Sequence, residues 1–197
     1  MKRLNWSISG VLLIVLCFAP LLAAQKATMR ITVDNGIKEL YINEESIKLG
    51  PEAKDWTQAS VVEFEVKPRG GNLIAVHCED WGVIAGLLAD ITYDKTEIVT
   101  DTNWKYSTKP EADWWKIKFD DKGWKNAVEY GQYPCCIWGG RVNGMNKPQS
   151  KALWIWSENN VQGGKIDTPV FFRYSFGEMA VEPAFKLSIT WGRIKRK

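Results

Sequence analysis

Apolar residues alternate with polar ones in short runs along this chain, and no run keeps a helical period for three turns. Met29, Ile31 and Val33 alternate with Arg30 and Thr32, and the turn signal Asp34-Asn35-Gly36 leads into a second run over 37–42. That pattern predicts an opening β-hairpin. Val62, Phe64 and Val66 alternate with Glu63, Glu65 and Lys67. After Pro68-Arg69-Gly70-Gly71 comes a run over 73–78 that is apolar on both faces, as expected of a strand covered on both sides. Runs over 83–93, 153–156, 170–176 and 185–191 complete the set. Short strands with frequent turns predict an all-β sandwich or barrel. Two stretches fit neither period. Residues 113–130 read as a loop with a short helical turn, and 133–150, rich in Gly, Pro, Asn and Cys, is the longest predicted loop.

The N-terminus stands apart. Lys2 and Arg3 precede an apolar run from Ile8 to Leu22, closed by Ala23-Ala24, which reads as a secretory signal peptide over 1–24. Its apolar run is shorter than the roughly 20 residues of a membrane span, so no stable membrane insertion is expected after cleavage. One domain then occupies 25–192, followed by a basic tail over 193–197. Without residues 1–24 the chain has 24 basic and 23 acidic residues, and four of the basic ones lie in the tail. A body so close to neutral argues against nucleic acid as the main partner. Secretion implies an oxidising compartment, in which Cys78, Cys135 and Cys136 remain. Neighbouring cysteines seldom bridge, because ring closure strains the peptide, so Cys78 is expected to pair with Cys135 or Cys136. The third thiol is left for a buried, capped or intermolecular role, the last giving a disulfide-linked oligomer.

Several blocks, in order, resemble the galactose-binding-domain-like β-sandwich, in particular the accessory sugar-binding domains of α-L-rhamnosidases and related glycosidases. Ile31-Thr32-Val33-Asp34-Asn35-Gly36 with Leu40-Tyr41-Ile42-Asn43 is similar to the first hairpin, and Asn72-Leu73-Ile74-Ala75-Val76 to the central strand after a glycine turn. Trp115, Phe119-Asp120-Asp121 and Trp124-Lys125-Asn126-Ala127 resemble a "W, then FDD, then W and A" block. Trp154-Ile155-Trp156, Phe171-Phe172-Arg173 and Phe176 resemble the closing strands. The likeness spans 28–177 and departs at Glu44, where the family has glycine, and at the Cys135-Cys136 pair. It implies a jelly-roll sandwich, often sugar-binding and sometimes holding calcium.

A catalytic role is not expected. Acid–base or nucleophilic chemistry needs positioned partners, and the one histidine, His77, lies inside a strand with its neighbour Cys78 pointing to the other face. Asp120-Asp121 could cap a turn through backbone N–H groups. Tryptophan is the unusual residue, with 11 copies. A sugar packs its C–H face on an aromatic plane while its hydroxyls need directional polar partners. Trp115, Trp124, Trp154 and Trp156 fall in the family blocks and are expected to pack the sandwich. Trp81 follows Glu79-Asp80 at a strand end, and Trp138 precedes Arg141 and Asn143 in the long loop. A Cys78 bridge would bring Trp81, Trp138, Asp80, Arg141 and Asn143 to one end of the sandwich as a carbohydrate site. The expectation is therefore a secreted, non-catalytic module that binds carbohydrate or glycoconjugate. A matrix protein assembled through the spare cysteine and an accessory fragment of a glycosidase are the alternatives.

Overall fold

The computed structural model describes residues 24–69, 71–109, 111–145, 150–160 and 165–177. The expected signal peptide up to residue 23, the strand over 185–191 and the tail over 193–197 lie outside the described residues.

The fold is all-β, two antiparallel sheets packed as a sandwich. The first sheet is built around β1 (Gln25–Asp34), which pairs with β4 (Ser60–Val66) on one side and β6 (Gly86–Tyr93) on the other. The free side of β6 is shared by β7 (Thr96–Val99) and β11 (Leu153–Trp156), and β10 (Val128–Gln132) closes that edge. The second sheet runs β3 (Glu45–Ser46), β2 (Gly36–Ile42), β5 (Asn72–Glu79), β12 (Val170–Phe176), β8 (Lys105–Ser107), β9 (Lys125–Asn126). A 3₁₀ turn covers Pro51–Lys54.

The expected opening hairpin is not formed. β1 and β2 are consecutive strands, yet they lie in different sheets, and Asp34-Asn35-Gly36 carries the chain across the sandwich. β6 takes one edge of β1 up to Asp34 and β4 takes most of the other, from Gln25 to Ile31, and β2 pairs with β5 instead. The short helical turn expected within 113–130 is likewise absent; single turns close there through bonds such as Lys116 N–H to Asp113 C=O at 2.8 Å.

The main core lies between the sheets, with Met29, Ile31 and Val33 of β1 facing Ile74, Val76 and Cys78 of β5 and Phe172 of β12 in one buried cluster. Each such side chain contributes roughly 1.5–3 kcal/mol by leaving water. Two further clusters cover the outer faces of the sheets. Leu73 and Ala75 of β5 and Phe171 pack under Trp114 and Trp124, which explains why the 73–78 run is apolar on both faces. On the other sheet, Leu88 packs under Tyr133, Trp138, Val142 and Trp154, so the long loop folds back as a cover. Arg173, 1% exposed, ties the 113–124 cover down through Asp121 at 2.9 Å and the carbonyls of Trp114 and Lys116. Asp121 is thus an ion-pair partner, while Asp120 takes the expected turn-capping role, accepting the Lys122 N–H at 3.2 Å.

Candidate functional site

The inter-sheet turn gathers most of the residues singled out above. Asp34 ends β1 with its side chain buried, and its Oδ2 accepts a 2.8 Å hydrogen bond from Trp138 Nε1. Its Oδ1 accepts from Asn35 Nδ2 at 2.9 Å, and Asn35 Oδ1 accepts the Trp81 backbone N–H at 2.6 Å. Hydrogen bonds therefore link the long loop, the turn and the end of β5 in series. Charged acceptors make such bonds stronger than neutral ones.

Asp80 lies beside this chain. Its Oδ2 accepts the Gly82 N–H at 3.2 Å and its own N–H donates to Thr168 Oγ1 at 3.0 Å, while its Oδ1 is buried without a partner among the described residues. Burial pushes the Asp34 carboxyl above the ordinary carboxylate range; the Trp138 bond and the Arg141 charge oppose that shift, and the Asp80 charge adds to it. Burial raises Asp80 as well, against the Gly82 and Trp81 backbone hydrogen bonds. The Asp80 charge thus adds to burial in holding the proton on Asp34.

Trp81 is the exposed member of the group, with 63% of its surface open. Its backbone is fixed by Asn35, and a Cβ at Gly36 would stand 3.2 Å from the tip of its ring, so the indole rests against the turn. Val83 and Ile137 are exposed large apolar side chains of the neighbouring segments.

Trp138 differs from the expectation. It is 1% exposed and stacks on Trp154 with ring centroids 4.3 Å apart, in a space that Gly86 leaves open by having no Cβ. Its role is to hold Asp34, and it offers no platform to a ligand. Arg141 spends its guanidinium on its own loop, donating from Nε to Trp138 C=O at 3.1 Å and from Nη2 to Ile137 C=O, with its Cζ 4.9 Å over the Trp56 ring. Asn143 docks by its backbone on 57–59, its N–H donating to Thr57 C=O at 2.7 Å and its C=O accepting from Ala59 N–H at 2.8 Å; its side chain is exposed. Of the five expected site residues, the structure joins Asp80, Trp81, Trp138 and Arg141 through the turn and sets Asn143 on the neighbouring segment.

The link between them is not the expected one. Cys135 bonds Cys136, and Cys78 is a free thiol, fully buried in the main core, its proton held well above the ordinary thiol range by that burial. The expected bridge from Cys78 to the loop fails because Cys78 faces inward between the sheets. The adjacent pair is accommodated by Gly131 in β10, at φ +137°, where a Cβ would overlap both sulfurs. His77 stacks on Phe171 at 4.4 Å and sets its Nδ1 3.2 Å from Glu39. Among the described residues no three His, Cys, Asp or Glu side chains come together around a cation.

A second feature had no signal in the sequence. Tyr106, Lys109, Trp124, Lys125, Glu158 and Asp167, from four separate segments, line a polar cleft of about 460 Å³. Asp34 and Trp56 were also missed as partners, since the Asp34-Asn35-Gly36 signal reads equally as a plain hairpin turn. Among the described residues no helix is long and apolar enough to cross a membrane. Comparison of the chain with family models, curated proteins and solved structures gives no match.

Proposed function

We propose that this protein is a secreted, non-catalytic carbohydrate-binding module with a galactose-binding-like, jelly-roll sandwich, taking a sugar on the exposed face of Trp81. The observation that carries this reading is the Trp81 indole, open over 63% of its surface on a turn whose backbone is already fixed by Asn35. Large aromatic side chains are seldom left so open without a partner, and one held in place loses little conformational entropy when a ligand stacks on it. The C–H face of a pyranose suits that plane. The free thiol lends no support to assembly through an intermolecular disulfide, because Cys78 has no surface to offer.

The test is a glycan array probed with the full chain expressed through an oxidising secretory route, with and without calcium, beside Trp81→Ala. Trp81 is a surface residue, so the variant keeps the fold. Selective binding to one sugar class, weakened about tenfold or more in the variant, is expected. A blank array in both conditions, or a variant that binds as the parent does, refutes a site at Trp81.

A further inference from the structure

We propose that the cleft between the β8–β9 ribbon and the chain segments flanking β11 and β12 is a second ligand site, one that takes a neutral monosaccharide or the terminal unit of a glycan. Its volume of about 460 Å³ lies in the range of small-molecule sites. The floor carries the edges of Tyr106 and Trp124, both nearly buried and both fixed: Tyr106 Oη accepts the Glu158 N–H at 3.3 Å, and Trp124 Nε1 donates to Glu111 at 3.2 Å. Around them stand two cations and two carboxylates, Lys109, Lys125, Glu158 and Asp167.

The charges sort the candidate ligands. Lys125 and Glu158 satisfy each other at 2.9 Å, and the four groups sum to zero, so a phosphate or a polyanion gains no net attraction. The lining is too polar to hold a lipid tail. Asp167 is oriented by Ser157 Oγ at 2.9 Å and Asn159 Nδ2 at 3.1 Å, both donating to Oδ2. Asp167 and Lys109 both line the cleft, and among the described residues neither Asp167 Oδ1 nor the Lys109 ammonium has a hydrogen-bond partner, which leaves an acceptor and a donor for a small hydroxylated guest. The Trp81 turn contributes nothing to this cleft, so the site stands independently of the function proposed above. The two do open on one end of the sandwich, because β5, β12 and β8 are paired through Cys78–Val170 and Phe171–Ser107 there, and neighbouring strands lie about 5 Å apart.

The test is a ¹H–¹⁵N NMR titration of the full chain with D-galactose, D-glucose, D-mannose and L-rhamnose in turn, repeated on Lys109→Ala and Trp81→Ala. Saturable shifts of the Gly123, Lys125 and Asn159 amides with at least one sugar are expected. Affinity should drop about tenfold in Lys109→Ala and stay within about twofold in Trp81→Ala. Shifts confined to the Asn35 and Gly82 amides overturn the cleft and leave the Trp81 site standing; shifts confined to the cleft do the reverse. No shift at the cleft with any of the four, or shifts that stay linear and ignore Lys109→Ala, also overturn it.

Discussion

Replacing Trp138 with phenylalanine removes the N–H that reaches Asp34 Oδ2 at 2.8 Å while leaving an aromatic ring against Trp154. The lost bond has a charged acceptor, worth about 1.5–3 kcal/mol, and the smaller ring gives up about 1 kcal/mol of packing. A total of about 2.5–4 kcal/mol is expected, which at a urea slope of about 2 kcal/mol/M moves the unfolding midpoint down by about 1.2–2 M. Asp34→Asn keeps a carbonyl for the indole and takes away a buried charge, so alone it should be close to neutral, and in its background Trp138→Phe should cost about 1 kcal/mol less. The pH dependence supplies a second check. Asp34 has a folded pKa above its unfolded one, so the folded state holds the proton more tightly and ionisation opposes folding. That penalty is absent below the unfolded value, grows as pH rises through the folded value, and is complete above it. Trp138→Phe raises the folded value further, so its deficit should be full at neutral pH and shrink as pH falls through Asp34's folded pKa. Urea denaturation of the four proteins at several pH values measures all of this. Equal midpoints for parent and Trp138→Phe at neutral pH, or a deficit that ignores both pH and Asp34→Asn, would refute the proposed role of this bond.

Gly131→Ala should destabilise by about 2–4 kcal/mol, since the new methyl meets both sulfurs at a backbone angle that only glycine adopts easily; with Cys135 and Cys136 both alanine the clash with the sulfurs should vanish and the cost of the backbone angle, about 1 kcal/mol, should remain, as thermal or urea melts will measure. Alkylation of the unreduced native protein followed by peptide mass spectrometry should find Cys135 and Cys136 joined and Cys78 unmodified, with Cys78 reacting only after denaturation; a peptide joining Cys78 to either neighbour contradicts the structure. Arg173→Lys should cost about 2 kcal/mol in a urea melt, because a lysine cannot bond Asp121 and two carbonyls from one buried planar group.

The sequence was readable where one period dominated. The runs at 73–78 and 170–176 became β5 and β12, and the expectation that 73–78 is covered on both faces is met by the Trp114–Trp124 cover. Pairing was harder to read. Alternation shows which residues of β1 face the core but not that both its edges are occupied, so the turn after it looked like a hairpin. Short strands such as β8 and β9 lack the length to show a period. At the site, the Asp80-Trp81 turn stood out as an aromatic beside carboxylates, whereas Trp138 carried the same local signal and proved buried, because exposure depends on the Gly86 gap and on Trp154 across the sheet. The cleft joins residues as far apart as Tyr106 and Asp167, and spacing along the chain holds no trace of it.

Fluorine NMR on protein labelled with 5-fluorotryptophan tests sugar binding at the turn most directly, with the Trp81 signal assigned through Trp81→Phe and galactose, glucose, mannose and rhamnose titrated in turn. The Trp81 resonance should move saturably with at least one of them, while those of Trp138 and Trp154, both buried, stay in place. A Trp81 signal that none of the sugars moves would contradict carbohydrate binding at this turn.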